Sequence, residues 1–151
     1  MKKILIVGGV AGGATAAARA RRLSDEDQII IFEKDEHISF ANCGLPYYIG
    51  GVIANRERLL VETPETFRKN HNIDVRTFSE VIVIDVKKKK VTVREVKTGH
   101  TYEESYDKLI LSMGTVPIWL TIPGVETAHN VFSLRNLNDT DKISNFINQE
   151  K

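Results

Sequence analysis

Ile4-Leu5-Ile6-Val7-Gly8-Gly9-Val10-Ala11-Gly12-Gly13-Ala14 is the stretch that decides the fold. Its short continuous apolar run is the mark of a strand buried on both faces of a parallel sheet. Glycines follow, and Ala14 to Leu23, rich in alanine and arginine, reads as a helix. Ser24-Asp25-Glu26-Asp27 makes a polar turn and Gln28 to Phe32 a second buried strand, giving a βαβ unit that ends at Glu33. A strand, a glycine-rich turn and a helix bring free N–H groups and the positive end of the helix dipole together, which suits a pyrophosphate. Gly8 makes the tight turn and Gly13 allows helix and strand to pack closely. The pattern departs from G-x-G-x-x-G, with Val10 at the middle glycine position and glycines instead at Gly9 and Gly12. Glu33, about 20 residues beyond the turn, stands where an acidic side chain accepts from ribose hydroxyls. Packing glycines followed by a surface acid remain an alternative reading, and these residues do not separate FAD from NAD.

Beyond Glu33 the chain is irregular over 36–51, with a short helix expected at 46–50. Thr63-Pro64-Glu65-Thr66 is a helix start, Thr63 as cap and Pro64 in the first helical position, and that helix runs to about His71. From Asp74 onward three short strands, around Val81–Ile84, Val91–Val93 and Thr101-Tyr102, are joined by turns at Lys87–Lys90 and Thr98-Gly99, forming an antiparallel meander. Leu109-Ile110-Leu111 is again a buried strand, stopped by Gly114. Pro117, Pro123 and Gly124 mark an extended connection, and Asn138 to Gln149 reads as a final helix capped by Asn138 or Asp139. The fold class expected is α/β: a Rossmann-like, three-layer FAD/NAD(P)-binding domain with a parallel sheet and an antiparallel β-meander.

With 151 residues, 42% hydrophobic and 27% charged, the chain has the composition of a globular domain that buries a core. A net charge of +1 gives no reason to expect nucleic acid or an anionic membrane as partner, and the lysine run reads as a solvated turn. Lys2-Lys3, the apolar run and Ala18-Arg19-Ala20 imitate a signal peptide, but four glycines interrupt the run and Arg19, Arg21 and Arg22 follow at once. No apolar stretch reaches the length of a membrane span. A cytoplasmic protein is expected. The four histidines are scattered, with no metal-site spacing, so metal: none.

Cys43 is the one cysteine, so an internal disulfide is excluded and a reducing compartment fits. It lies in Ser39-Phe40-Ala41-Asn42-Cys43-Gly44-Leu45-Pro46-Tyr47-Tyr48, just before the expected short helix, where a helix N-terminus favours a thiolate. Lacking a second cysteine, it has to react with something external: a mixed disulfide, a persulfide or a peroxide. An inert buried thiol is the competing reading. Thr15, Arg19 and Arg22 stand at i, i+4 and i+7, one stripe of a helix on which two arginines can pair with phosphates. An ordinary solvated face is the alternative.

The Cys43 segment closely resembles the active-site segment of coenzyme A-disulfide reductases, within the pyridine nucleotide-disulfide oxidoreductase superfamily. The resemblance extends to Val7–Ala14, where the family also has a non-glycine middle residue, to Glu33-Lys34, Leu109–Gly114 and Ser133-Leu134-Arg135-Asn136. It departs at Met113, where the family commonly has proline, and at the less proline-rich Ile118–Thr121. It implies an FAD-dependent NAD(P)H disulfide oxidoreductase: NADH or NADPH reduces FAD, and the flavin reduces a disulfide between catalytic Cys43 and a small-molecule thiol, coenzyme A. It further implies cofactor contacts at Gly8, Gly9, Val10, Ala11, Gly12, Gly13, Glu33, Lys34, Asn42, Val81, Ser112 and Gly114, and substrate contacts at Thr15, Arg19, Arg22, Ser39 and Asn42.

Family members run to roughly three domains of this size. The expectation is therefore that 1–151 is the first segment of an FAD-binding domain, with 133–151 beginning the connection toward an NAD-binding domain, and that the chain is truncated. Alone it would bind FAD weakly and turn over little. Full-length relatives are expected to be homodimers. Two other functions remain open: an NADH oxidase or peroxidase cycling Cys43 through sulfenic acid, and a catalytically inert nucleotide-binding remnant.

Overall fold

A computed structural model of the chain describes residues 1–149. The elements run β1 (Lys3–Val7), α1 (Ala11–Leu23), β2 (Gln28–Phe32), a 3-10 turn (Asn42–Gly44), α2 (Leu45–Ile49), a second 3-10 turn (Arg56–Leu59), α3 (Pro64–His71), β3 (Asp74–Arg76), β4 (Ser79–Asp85), β5 (Lys90–Glu95), β6 (Thr101–Ser105), β7 (Lys108–Leu111) and α4 (Leu137–Gln149). They divide into two compact units: residues 1–40 with 60–114, and residues 41–59 with 115–151, the last two of which lie outside the described residues.

The first unit has the expected three layers. Its parallel sheet has strand order β3-β2-β1-β7, and β4-β5-β6 form the antiparallel meander. The period-2 alternation of strand side chains sorts the core onto two faces. Ile6, Ile29, Ile31 and Val75 pack with Ala14 and Ala17 of α1 and Phe67 of α3. On the other face Leu5, Ile30 and Phe32 pack with Val91 and Val93 of the meander. Both faces of β1 and β2 are therefore covered, which is why these strands read as unbroken apolar runs. The four-lysine run is a turn entering β5, with Lys89 in the left-handed region at φ 50°.

Three differences from the sequence reading bear on the site, beside shifts of one or two residues at other element ends. The first helix begins at Ala11 rather than Ala14, so the glycines at 12 and 13 lie inside its first turn. Asp74–Arg76 is a fourth strand of the parallel sheet, pairing with β2, where the reading saw only the approach to the meander. The last helix starts at Leu137, and its cap is Asn136, whose Oδ1 accepts from the Asp139 N–H at 3.0 Å, rather than Asn138 or Asp139. The Thr63 cap of α3 forms as expected, in a capping box with Thr66.

Arg21 is the least expected buried residue. Nε donates to the His71 carbonyl at 2.9 Å, Nη1 to those of Ser24 and Asp25 at 3.0 and 2.8 Å, and Nη2 to those of Asp27 and Asn72 at 2.8 and 2.9 Å. One guanidinium thus spends all its donors on backbone carbonyls and ties the end of α1 to the end of α3. Charges also link the two sheets: Lys3 of β1 and Arg76 of β3 both pair with Glu104 of β6, Arg76 at 2.8 Å. Arg76 further pairs with Asp74 at 2.8 Å and lies 5.4 Å from the centre of the Phe32 ring.

In the second unit, α2 packs on α4, and Leu45, Leu59 and Leu137 are buried. The Phe132 and Phe146 ring centres are 5.1 Å apart. Arg56 and Asp141 form a two-pronged ion pair, Nε to Oδ1 and Nη2 to Oδ2, both 2.8 Å. No described helix is long and apolar enough to cross a membrane.

Replacing Arg21 by Gln strands several carbonyls that it alone bridges, and is expected to cost about 3 kcal/mol or more in urea unfolding, with Lys restoring only part. Burial pulls the Glu104 carboxyl upward, but hydrogen bonds from Lys3 and Arg76 and their charges outweigh it and hold it below the ordinary value of 4.5. Its folded pKa being depressed, its contribution is present above 4.5 and is lost as pH falls through the lower folded value. Glu104→Gln should therefore flatten that acid limb of a thermal-unfolding pH series.

Candidate functional site

The glycine turn is built by exclusion. Gly8 has φ +92°, and a side chain there would strike the Ser112 carbonyl. A Cβ on Gly13 would collide with the carbonyl oxygen of Gly8, and one on Gly9 would stand 2.7 Å from Ile38 Cγ2. These three are glycine because the protein's own atoms leave no room. Gly12 is different: its Cβ would meet nothing nearer than Ser112 Oγ at 3.5 Å, an ordinary contact. Gly12 is exposed in the first turn of α1, where Val10 gives no side-chain cap and no acid stands. Free N–H groups and a bare backbone beside a serine hydroxyl fit a pyrophosphate.

Glu33 is buried, and its orientation is fixed by two backbone donors. Oε2 accepts from the Gly9 N–H at 2.7 Å and Oε1 from the Asp35 N–H at 3.0 Å. A carboxylate has about four lone-pair sites, so capacity remains for ribose hydroxyls. The acid and the turn meet through a direct hydrogen bond, so the surface-residue reading of Glu33 does not stand. Lys34 is exposed beside it. Val81 packs against the second core cluster, and the β4–β5 register shifts directly after it. Gly114, at φ +69°, follows Ser112, whose N–H bonds to the Val7 carbonyl at 2.8 Å.

A cleft of about 410 Å³ lies along α1. Ala11, Ala14 and Ala18 give it a shallow wall, and Thr15 and Arg22 stand on the same stripe. Ser39 closes one side and Phe67 and His71 of α3 another. Three predicted substrate residues, Thr15, Arg22 and Ser39, thus share one cleft; Arg19 is exposed on the helix and is not among the lining residues. Ser39 adopts φ 46°, unusual for a serine, held there by its N–H to the Gly9 carbonyl at 3.0 Å and by the Val61 N–H on its own carbonyl at 2.8 Å. The sequence reading missed Glu62 and His71, which also line the cleft. No local signal marks either, because the fold brings them there from 40 or more positions beyond α1's cleft stripe. Hydroxyls, an arginine and an apolar wall can hold an elongated ligand with an anionic end.

A larger depression, about 560 Å³, is lined by Asp25, Glu26, Asp27, Asp74, Arg68 and the saturated Arg21, and holds no predicted site residue. Cys43 is an exposed free thiol in the 3-10 turn of the second unit, next to the exposed Asn42. Among the described residues no cluster of His, Cys, Asp or Glu can hold a metal ion.

The chain matches, over residues 2–151, the family described as pyridine nucleotide-disulphide oxidoreductase. It is 48% identical over 151 residues to the coenzyme A disulfide reductase of Staphylococcus haemolyticus (strain JCSC1435), covering 100% of this chain and 33% of that protein. The crystal structure of reduced Bacillus anthracis CoADR-RHD superposes with TM-score 0.95 at 56% identity, covering 99% of this chain and 27% of that one. The water-forming NADH oxidase of Lactobacillus brevis, bound to NADH, superposes with TM-score 0.90 at 28% identity, covering 99% and 33%. The chain spans about a third of the length of the curated relatives it matches.

The glycines give a test that separates packing from ligand contact. Gly12→Ala is expected to keep the parent circular dichroism and melting behaviour, and, where the turn takes a dinucleotide pyrophosphate, to weaken FAD binding at least tenfold in a fluorescence titration. Gly13→Ala should lose the fold itself.

Proposed function

This chain belongs to the pyridine nucleotide-disulphide oxidoreductase family, and on that premise we propose that it is the FAD-binding segment of a coenzyme A-disulfide or persulfide reductase with Cys43 as the redox-active thiol. What carries the reading is the gathering of Thr15, Arg22 and Ser39 on one cleft, in a chain whose sole cysteine is exposed. The cleft would take coenzyme A, with Arg22 on its phosphates and Thr15 and Ser39 donating to its polar arm; Arg19 and Asn42 complete the proposed substrate set. Glu33 would hold the FAD ribose, and the head of α1 from Gly8 to Gly13 its pyrophosphate, with Ser112 beside Gly12. Further cofactor contacts are proposed at Lys34, Asn42, Val81 and Gly114.

In the proposed reaction the Cys43 thiolate attacks coenzyme A disulfide, forming a Cys43–S–S–coenzyme A bond and releasing one coenzyme A thiolate. A hydride equivalent from NADH or NADPH, two electrons and a proton, then cleaves that mixed disulfide, returning the Cys43 thiolate and a second coenzyme A as its thiol and leaving oxidised nicotinamide. Bound FAD would supply the two-electron relay between nicotinamide and sulfur. The NAD(P)H site and a homodimeric assembly belong, in this proposal, to the longer protein of which residues 1–151 are the FAD-binding segment and 133–151 the lead-out. Higher identity to a coenzyme A disulfide reductase than to an NADH oxidase, 48% against 28%, supports the disulfide reading over sulfenic acid chemistry.

Incubating the chain with coenzyme A disulfide and weighing the intact protein tests the reading. The expected result is one coenzyme A adduct, absent in Cys43→Ser, with Arg22→Ala raising the half-saturating concentration at least fivefold. A sulfenic acid trapped on Cys43 with peroxide but no adduct would select the oxidase or peroxidase. An unmodified thiol under both conditions would leave a nucleotide-binding remnant.

A further inference from the structure

The unit that carries Cys43 joins segments far apart in sequence, residues 41–59 with the chain beyond 114. The Cys43 turn has little structure of its own: three 3-10 residues followed by a five-residue helix. Short helices of that kind are marginal without tertiary support. The support can be followed atom by atom. A Cβ on Gly44 would stand 2.9 Å from Leu59 Cδ2 and 3.4 Å from Ile53 Cδ1, so the turn sits directly on those side chains. The Ala41 N–H donates to the Leu59 carbonyl at 2.8 Å, and the Gly44 N–H to the Ala41 carbonyl at 2.9 Å. Leu59 therefore contacts both flanks of Cys43. It is fully buried and ends the second 3-10 turn, which Arg56 begins. Residues three apart in a 3-10 turn eclipse one another, so Arg56 and Leu59 stand on one face of that turn. Arg56 is held by Asp141 of α4 through two parallel bonds of 2.8 Å, the geometry that restrains a guanidinium in both position and plane.

We propose that Arg56 and Asp141 are positioning residues for Cys43, acting as a clasp that holds the thiol's turn in register through Leu59. The clasp lies 13 and 98 residues from the thiol in sequence and makes α4 part of the thiol's scaffold. The proposal takes from the proposed function only that Cys43 is the reacting group.

Hydrogen exchange read by mass spectrometry, alongside the rate of coenzyme A adduct formation, tests it. In Asp141→Asn, amides of residues 41–49 should exchange at least tenfold faster while β1 and β2 keep the parent rates. The maximal rate of adduct formation on Cys43 should fall at least threefold with the half-saturating concentration unchanged. The exchanged pair, Arg56→Asp with Asp141→Arg, should recover much of both. Arg56→Lys, which keeps the charge and loses the fork, gives the same comparison if Asp141→Asn fails to fold. Parent exchange rates over 41–49 in Asp141→Asn or Arg56→Lys would overturn the proposal, and so would equal acceleration in β1 and β2, which marks general destabilisation. If the parent itself forms no adduct, the proposed function fails, while the exchange data still decide the clasp.

Discussion

The chain can pass from β1 into α1 only because Gly13 presents no side chain to the backbone of Gly8, and Gly8 none to that of Ser112. Everything functional in the first unit depends on that near-contact. It lets the helix start directly above the strand end, points its free N–H groups outward, and leaves the Gly9 N–H facing Glu33. The same turn supplies the Gly9 carbonyl that helps to hold Ser39 in its left-handed conformation. One steric constraint thus places the acid, the helix head and one side of the cleft. A hydrophobic core alone gives no such precision, since apolar packing has no direction.

The second unit solves a different problem. Its thiol is exposed and lies in a turn too short to hold itself, so its geometry has to be borrowed from elsewhere. The lender is the segment that sequence inspection treats as a mere lead-out, because α4 carries Leu137 and Thr140 buried and Asp141 paired. An ion pair at partial exposure adds little to global stability. Its value here is directional: a bidentate pair fixes orientation where a leucine contact would let the turn slide. Burial through Leu45 and Leu59 holds the turn in place, and the clasp sets its register.

How much of this was legible in the sequence follows from the range of each interaction. β1, β2 and the α3 cap are written in local pattern, an apolar run or a Thr-Pro start, and the structure matches them closely. The strand Asp74–Arg76 was not legible, since three residues with one apolar side chain carry no periodicity, and only pairing with β2 makes them a strand. Arg21 was hidden differently. It sits between the exposed Arg19 and Arg22 and looks like them, and only the carbonyls of His71 and Asn72, fifty positions away, distinguish it. His71 and Glu62 reached the cleft by the same long route. The cap of α4 was misplaced by two or three residues because Asn136, Asn138 and Asp139 are all good caps, and the choice is made by where the preceding chain arrives.

The departure at Val10 now has a physical account. In the usual fingerprint the middle glycine lets the backbone approach the pyrophosphate. Here Val10 is one of the residues lining the cleft that also holds Thr15, Arg22 and Ser39, so its side chain contributes apolar wall to that cleft. Gly9 cannot offer a bare approach instead, because the space its side chain would fill is already taken by Ile38. Of the glycines in the turn, only Gly12 is exposed, free of steric demand from the protein and at the head of the helix. A sequence that gives up glycine at 10 and keeps it at 12 has moved the open backbone two residues into α1, toward Ser112, while using the vacated position to build the neighbouring cleft. The two sites are therefore not independent additions to one scaffold. A side chain at the helix start lines the cleft, and the missing side chain two residues later leaves open the backbone on which the proposed pyrophosphate would sit.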